Sequence, residues 1–344
     1  MMNKKSKFWP WTLAWLILAI LSCYIRLYPL RSHRWDNAHE QATLMTAAAY
    51  TPLFTYLLIL ITFLWVCRVL QFSVIASFIG ALFLVMAPIN LKHGSLGWLG
   101  ADPYNILFPL LLLGCLFLAL RPASKKNGYL WAVIFGLTLS AYALFWQGWG
   151  LLFFMGAACA LGAAAYNYFI KKDPLHVRQN LLFLSIFTGT ALLAVSACFS
   201  FRDFFTLFKE GFIPVGGLQK TSFESITASA GGPVFMLLAF GGWIYSLRMA
   251  LQNFRQARAI DTLILSIFLI VTMILGLNGE KFVLFTTIPL SVLAAAASHR
   301  FISLRSVSLP LAGLLIALIL FNANRDIRTV LTPLPAAPAL KSLK

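Results

Sequence analysis

Two carboxylates stand in polar segments where they could do chemistry. Asp102 lies in HGSLGWLGADPYN, and Glu224 lies in TSFES. Carboxylate oxygens are the ligands that Mg²⁺ and Mn²⁺ prefer, and a carboxylate can also accept a proton from an attacking group. Asp102 has an alternative role, because it precedes Pro103 at a predicted helix start, where Asp commonly caps backbone amides. Glu224 has one too, as a solvated glutamate at the membrane interface.

A third acidic segment lies nearer the N-terminus. The stretch RLYPLRSHRWDNAHEQ carries three arginines, and its residues Asp36, His39 and Glu40 share one face if the segment is helical. Such a mixture suits an anion, a divalent metal or plain hydration, and the residues alone do not choose among these.

The segment around Glu224 is the longest polar interruption of the chain. The stretch SFRDFFTLFKEGFIPVGGLQKTSFESITASAGGP mixes phenylalanines with charges that include Arg202 and Lys220. This composition predicts an amphipathic segment lying on a membrane surface. The glycine pairs Gly216/Gly217 and Gly231/Gly232 flank TSFES, as hinges flank a moving segment.

The elements that position these residues are predicted to be membrane-spanning helices. The 344 residues are 60% hydrophobic and 11% charged, with a mean hydropathy of +0.84, so lipid must be the solvent of most side chains. Runs of about 17–25 apolar residues recur, and a backbone in lipid must bond within itself, which selects helices. The expected fold is an all-α, polytopic transmembrane bundle of about eleven helices, within a range of ten to thirteen. The predicted spans are roughly 9–27, 51–67, 73–89, 105–120, 129–145, 149–169, 181–199, 233–247, 260–277, 282–297 and 307–321.

The net charge of +17 is explained by topology rather than by nucleic-acid binding, because lysines and arginines cluster between apolar runs. With the N-terminus in the cytoplasm and the C-terminus outside, the basic clusters fall on the inner side. Two of the ten carboxylates, Asp173 and Asp261, lie there with them, and the other eight face outward. Acidic residues contribute little to orientation, so chemistry is expected in the outer loops. The predicted organisation is a transmembrane domain over 1–321, with outer loops at about 26–50, 90–104 and 200–232, and an outer tail over 322–344.

Three segments, in this order along the chain, resemble motifs of one family. GWLGADPYNILFPL is similar to the second-loop acidic motif of the catalytic subunit of oligosaccharyltransferases, and TSFES resembles that family's T-x-x-E segment. GEKFVLFTTIPLSVLAA resembles its Arg-Phe motif, with Lys281 where the family has arginine. The resemblance covers about residues 20–300 and implies a GT-C glycosyltransferase fold. It also implies transfer of a glycan from a polyprenyl-phosphate or polyprenyl-pyrophosphate carrier, with Mg²⁺ or Mn²⁺ as cofactor.

The resemblance assigns roles to individual residues. Asp102 and Glu224, together with Asp36, would face the metal and the acceptor as catalytic and metal-binding residues. Lys281 would contact the carrier phosphate, with Arg202 and Lys220 as further point charges. The expected partners are a polyprenyl-phosphate-linked glycan and membrane lipid; the acceptor is not identified, and no nucleic-acid partner is expected.

The chain also departs from the family pattern. Gly100 stands where the second-loop motif has its first acid, so one metal ligand is missing and weak metal binding is expected. The family's C-terminal soluble domain with its W-W-D motif is not found in the sequence. Two alternatives to a working oligosaccharyltransferase-type enzyme therefore stay open: an inactive relative or fragment that binds a lipid-linked glycan, and a membrane transporter.

Overall fold

The computed structural model describes residues 42–94, 102–121, 125–146, 148–198, 221–252 and 258–303. Within these ranges all regular elements are helices, which confirms the predicted all-α class. The α-helices are α1 (Ala42–Val69), α2 (Val74–Met86), α3 (Pro88–Gly94), α4 (Tyr104–Leu120), α5 (Lys125–Ala143), α6 (Trp149–Tyr166), α7 (Pro174–Cys198), α8 (Phe223–Ala230), α9 (Pro233–Gln252), α10 (Arg258–Asn278) and α11 (Glu280–Ser303). A π-helix (Asn167–Lys171) continues α6.

Helix boundaries differ from the predicted ones at several places; α7, for example, begins at Pro174 rather than at about 181. The predicted outer loop 26–50 is helical from Ala42, because the apolar stretch that follows extends toward its N-terminus without a break. The predicted span 73–89 is divided at Ala87, whose ψ of 126° is the extended conformation that a following proline imposes. The predicted loop 200–232 contains the short helix α8. The predicted spans 9–27 and 307–321 lie outside the described residues.

Five of the described helical segments are long and apolar enough to cross a membrane, and the protein is an integral membrane protein. They are Trp149–Lys171, Pro174–Ser196, Pro233–Gln252, Ala259–Asn278 and Phe282–Ile302. Shorter apolar helices accompany them at Leu53–Val69, Val74–Met86, Tyr104–Leu120 and Gly128–Ala143.

Helix α11 lies at the centre of the bundle. In its most apolar stretch of 18 residues, 89% of the residues are buried. The helix packs against α2, α4, α9 and α10. Small residues allow this close packing, because a Cβ atom at Gly242 would stand 2.0 Å from the main-chain oxygen of Leu293. A Cβ at Gly80 would likewise stand 2.7 Å from the Cβ of Ala295. Glycine at such positions brings helix backbones together where lipid gives no hydrophobic driving force for association.

One end of the bundle, which we call the basic end, collects most of the described cations. The guanidinium of Arg121 donates to Asp261 at 3.1 and 2.7 Å and to the carbonyl of Val69 at 2.5 Å, joining α4, α10 and α1. The main-chain N–H of Ser73 donates to Nδ1 of His299 at 3.1 Å, which ties the start of α2 to α11. Further cations at this end, on the helices that begin or end there or in the turn between α6 and α7, are Arg68, Lys171, Lys172, Arg178, Arg248 and Arg300.

The predicted segregation of charge is present in the described residues. Asp173 and Asp261, the two carboxylates expected among the cations, lie at the basic end, and each is paired there, with His176 and Arg121 respectively. Asp102 and Glu224 lie on elements at the other end. Which end faces the cytoplasm stays a prediction.

Candidate functional site

The site is built at the end of the bundle opposite the basic end, which we call the acidic end. Helix α3 is fixed there by Asn90, a fully buried residue. Its amide nitrogen donates to the carbonyl of Leu84 at 2.6 Å and to the hydroxyl of Thr287 on α11 at 3.3 Å. Its own carbonyl accepts from the hydroxyl of Tyr56 at 2.6 Å. Because α3 leads into the segment that carries Gly100 and Asp102, these bonds determine where that segment begins.

Asp102 lies half-buried at the start of α4. The N-cap position belongs to Pro103, whose side chain cannot accept a hydrogen bond, and the main-chain carbonyl of Asp102 accepts from the N–H of Asn105 at 3.0 Å. The side-chain oxygen of Asn105 accepts from the hydroxyl of Tyr142 on α5 at 2.7 Å. Asp102, Asn105 and Tyr142 thus form a polar cluster between α4 and α5.

Aromatic rings surround this polar cluster. Tyr104 stacks on Phe145 with ring centroids 4.5 Å apart, and Trp146 lies 5.2 Å from Phe285 and 6.4 Å from Phe282. These contacts bring the start of α4 and the end of α5 against the first turns of α11. They form an apolar wall beside Asp102. Among the described residues of the segment HGSLGWLGADPYN, Asp102 is the only carboxylate.

Glu224 is carried by α8, the helix formed by FESITASA. The hydroxyl of Ser222 caps the helix by accepting from the N–H of Ser225 at 3.1 Å, as expected of Ser at an N-cap. Glu224 lies in the first turn and is exposed, whereas Ile226 and Ala230 on the other face are buried. A carboxylate in the first turn also complements the positive end of the helix dipole. The sequence therefore folds so that Glu224 points away from the apolar contacts of α8.

Contacts at both ends of α8 fix its position. The N–H of Thr221 donates to the carbonyl of Leu277 at the end of α10, at 3.1 Å. At the other end Gly231 and Gly232 have φ values of 124° and 88°, which side-chain-bearing residues rarely adopt. Between these points α8 packs against α3, α9, α10 and α11. Helix α8 therefore lies beside the helix that leads into the Asp102 segment.

The structure places some of the predicted site residues at the acidic end and does not describe others. Asp102 and Glu224 both lie at this end, and Lys281 occupies the first turn of α11 there, although only its backbone is described. The positions Asp36, Gly100, Arg202 and Lys220 lie outside the described residues. The catalytic and metal-binding roles of all these residues stay predictions.

Among the described residues, no group of three or more His, Cys, Asp and Glu side chains is placed to hold a metal. The oxygen donors of Asp102 and Glu224 fit a hard divalent cation in chemical type, and they would supply two of the six or more ligands that such an ion takes. A complete set needs further oxygens from other residues, from the substrate or from water.

Sequence reasoning missed Asn90, Asn105 and Tyr142 as residues that position the site. A signal was available for the two asparagines, because each amide stands next to an apolar run and close behind a proline, in APIN and DPYN. A polar side chain at such a depth has to be hydrogen-bonded. Tyr142 gave no signal among the many aromatic residues of the chain.

Comparison with known proteins gives a match in structure but none in sequence. No family model and no curated protein sequence matches the chain. The fold matches archaeal oligosaccharyltransferase AglB from Archaeoglobus fulgidus, in complex with an inhibitory peptide and a dolichol-phosphate, with a TM-score of 0.66 and 13% identity. The match covers 99% of this chain and 58% of that protein.

Two further structures of the Archaeoglobus fulgidus oligosaccharyltransferase are also similar. The complex with Zn and sulfate gives a TM-score of 0.58 and 16% identity over 87% of this chain and 43% of that one. The form tethered to an acceptor peptide with the NVT sequon gives 0.57 and 13% over 84% and 44%. The chain thus spans little more than half the length of these proteins at most. It has the fold of the archaeal oligosaccharyltransferases.

Proposed function

We propose that the protein is a membrane glycosyltransferase of oligosaccharyltransferase type. It transfers a glycan from a polyprenyl-phosphate or polyprenyl-pyrophosphate carrier to an acceptor at the acidic end of the bundle, which is predicted to face outward. The observation that carries the proposal is the oligosaccharyltransferase fold over nearly the whole chain, with two motif-bearing elements, the start of α4 and α8, at one end. That the similar structures include complexes with a dolichol-phosphate and with an acceptor peptide supports the choice of substrates.

The chemistry assigns each residue a task. An acceptor nucleophile forms a bond to the anomeric carbon of the glycan as the bond to the carrier phosphate breaks, and the phosphate leaves with that electron pair. Glu224, exposed on α8, orients the acceptor and takes its proton, and the half-buried Asp102 also binds the acceptor. Lys281, with Arg202 and Lys220, offsets the negative charge that develops on the departing phosphate.

The proposed cofactor is Mg²⁺ or Mn²⁺, held by Asp102 and Glu224 with Asp36. Such an ion would supply positive charge to stabilise the leaving phosphate. The oxygen-only donor set supports this choice of metal, and the Zn complex of a protein with the same fold supports a divalent ion in general.

A second candidate function is favoured by one residue. Gly100 offers no carboxylate where the resembling family has one, so the fold would bind a lipid-linked glycan without transferring it. The transporter alternative gains no support from the fold.

The test uses full-length protein in lipid nanodiscs with a labelled polyprenyl-phosphate-linked glycan, and measures both binding and release of label from the carrier. We expect metal-dependent release that chelator abolishes and that Glu224→Gln and Asp102→Asn each slow by about 10²-fold or more. Ser225→Ala, on the same turn of α8, is the matched control and should retain the wild-type rate. Binding without release would support the inactive relative, and the absence of both would refute the proposal.

A further inference from the structure

The turn between α6 and α7 lies at a membrane surface. The helical segments that it joins, Trp149–Lys171 and Pro174–Ser196, are both long and apolar enough to span. The turn itself contains Lys172, in the left-handed conformation with φ 54°, and Asp173. On its outer surface Tyr168 and Phe169 are 62% and 73% exposed, as aromatic residues at a lipid–water boundary are.

An open pocket of about 380 Å³ lies beside this turn. Its walls are mostly apolar, and they carry one cation, Arg178. Arg178 is exposed and makes no hydrogen bond or ion pair with any residue that the structure describes. The lining residues are Tyr168, Pro174, Val177, Arg178, Leu181, Leu182 and Ser185.

The charge around the pocket is positive. Lys171 and Lys172 on the turn add to Arg178, and within the described residues the carboxylate nearest to them in sequence is Asp173. That carboxylate is already engaged, because it accepts from the main-chain N–H groups of Leu175 at 3.1 Å and His176 at 3.2 Å. It also lies 2.5 Å from Nδ1 of His176. The carboxylate of Asp173 therefore caps the start of α7, and the guanidinium of Arg178 is available to bind an external anion.

We propose that this pocket binds one anionic phospholipid of the adjoining leaflet, with the lipid phosphate on Arg178 and an acyl chain along Val177, Leu181 and Leu182. Charge complementarity selects this occupant: a basic group at the mouth of an apolar groove, at headgroup depth, matches a lipid with a net negative charge. A zwitterionic lipid offers the same acyl chain without that net charge. The site lies at the basic end, away from Asp102 and Glu224, so it does not depend on the proposed function.

The experiment measures lipid binding to the purified full-length protein in detergent, by native mass spectrometry, with phosphatidylglycerol and phosphatidylcholine of matched chain length. Arg178→Gln removes the charge from the pocket, and Ser185→Trp fills the pocket while the charge remains. Arg248→Gln is the matched control, because Arg248 is also exposed and also lies at the basic end, on α9. Thermal unfolding of each variant checks that it is folded.

We expect the wild type to prefer phosphatidylglycerol, and Arg178→Gln to weaken its binding about fivefold, the effect of one basic residue near an anionic lipid. Ser185→Trp should weaken the binding of both lipids, and Arg248→Gln should leave both unchanged. Equal losses in Arg178→Gln and Arg248→Gln would show general electrostatic attraction and overturn the proposal. So would the absence of a preference for phosphatidylglycerol, or displacement of the lipid by inorganic phosphate.

Discussion

The N–H of Thr221 donates to the carbonyl of Leu277 at 3.1 Å, so the helix that carries Glu224 begins where α10 ends. The opposite end of α8 is fixed by Gly231 and Gly232 in conformations that other residues rarely adopt. The position of Glu224 therefore depends on two short connections rather than on a long buried helix.

Gly231→Ala should disturb the position of α8, because a φ of 124° is strained for a residue with a Cβ atom. The expected cost is about 1–3 kcal/mol of folding stability. We expect a lower thermal unfolding temperature and a slower release of glycan from the carrier.

The matched control is Gly189→Ala, since a Cβ at Gly189 on α7 meets nothing within 4 Å. Alanine is favoured over glycine inside a helix by about 0.5–1 kcal/mol. This variant should be as stable as wild type or more so. Identical unfolding temperatures for the two variants would contradict the account of the α8 connection.

Arg121→Gln should destabilise the basic end, because it removes the ion pair that the guanidinium of Arg121 forms with the nearly buried carboxylate of Asp261. Removing one member of such a pair costs on the order of 3 kcal/mol. The measurement is equilibrium unfolding in detergent, with the exposed Arg248→Gln expected to change stability by less than about 0.5 kcal/mol. Replacing both partners, as Arg121→Met with Asp261→Leu, should recover much of the loss. A single variant as stable as wild type would show that the pair contributes nothing.

Lowering the pH should loosen the start of α7 before the rest of the bundle. The N–H of His176, the His176 side chain and the N–H of Leu175 hold the pKa of Asp173 below its ordinary value of 3.8. Because the pKa is lower in the folded state, the stabilisation is present above that ordinary value and is lost as the pH falls through the folded pKa. Amide-exchange protection factors near His176 should fall over this range in the wild type and stay flat in Asp173→Asn. Parallel curves would rule out Asp173 as the titrating group.

Much of this fold could be predicted because lipid imposes simple rules. Apolar runs have to be helices, and basic clusters mark helix ends, so α4, α6 and α10 were predicted within a few residues. The start of α1 at Ala42 could not be located, since an alanine-rich stretch carries no strong helix start of its own. Helix α8 was missed although Ser222 and Gly231 flank it, because its eight residues are too few to show an apolar period. A tertiary contact, the hydrogen bond from the N–H of Thr221 to the carbonyl of Leu277, fixes where α8 lies.

The candidate site could be predicted by residue type and by its end of the bundle, but not in its supporting bonds. Asp102 and Glu224 were identified from polar segments and a family resemblance. The bond from Tyr142 to Asn105 joins residues on different helices, and no periodicity in the sequence reports such a pair. Tyr142 and Asn105 are far apart in sequence, and only the packing of α4 on α5 brings them into contact.

Gly100→Asp should strengthen Mn²⁺ binding, because it adds a carboxylate where the resemblance expects a ligand. Any glycan transfer should rise with it, since the metal charge stabilises the departing phosphate. The measurement is Mn²⁺ titration of the wild type, Gly100→Asp and Glu224→Gln, with Glu224→Gln expected to bind more weakly than wild type. Equal affinities in all three proteins would mean that these residues are not metal ligands.

The central claim is that Asp102 and Glu224 face one site, and metal bridging between them tests it most directly. Cysteine thiolates bind Zn²⁺ at about 2.3 Å, so two of them share one ion only when they come within a few ångströms of each other. We expect the double variant Asp102→Cys/Glu224→Cys to bind Zn²⁺ at least about tenfold more tightly than either single variant, a gain of about 1.4 kcal/mol. A double variant that binds Zn²⁺ no better than the single variants would contradict a shared site.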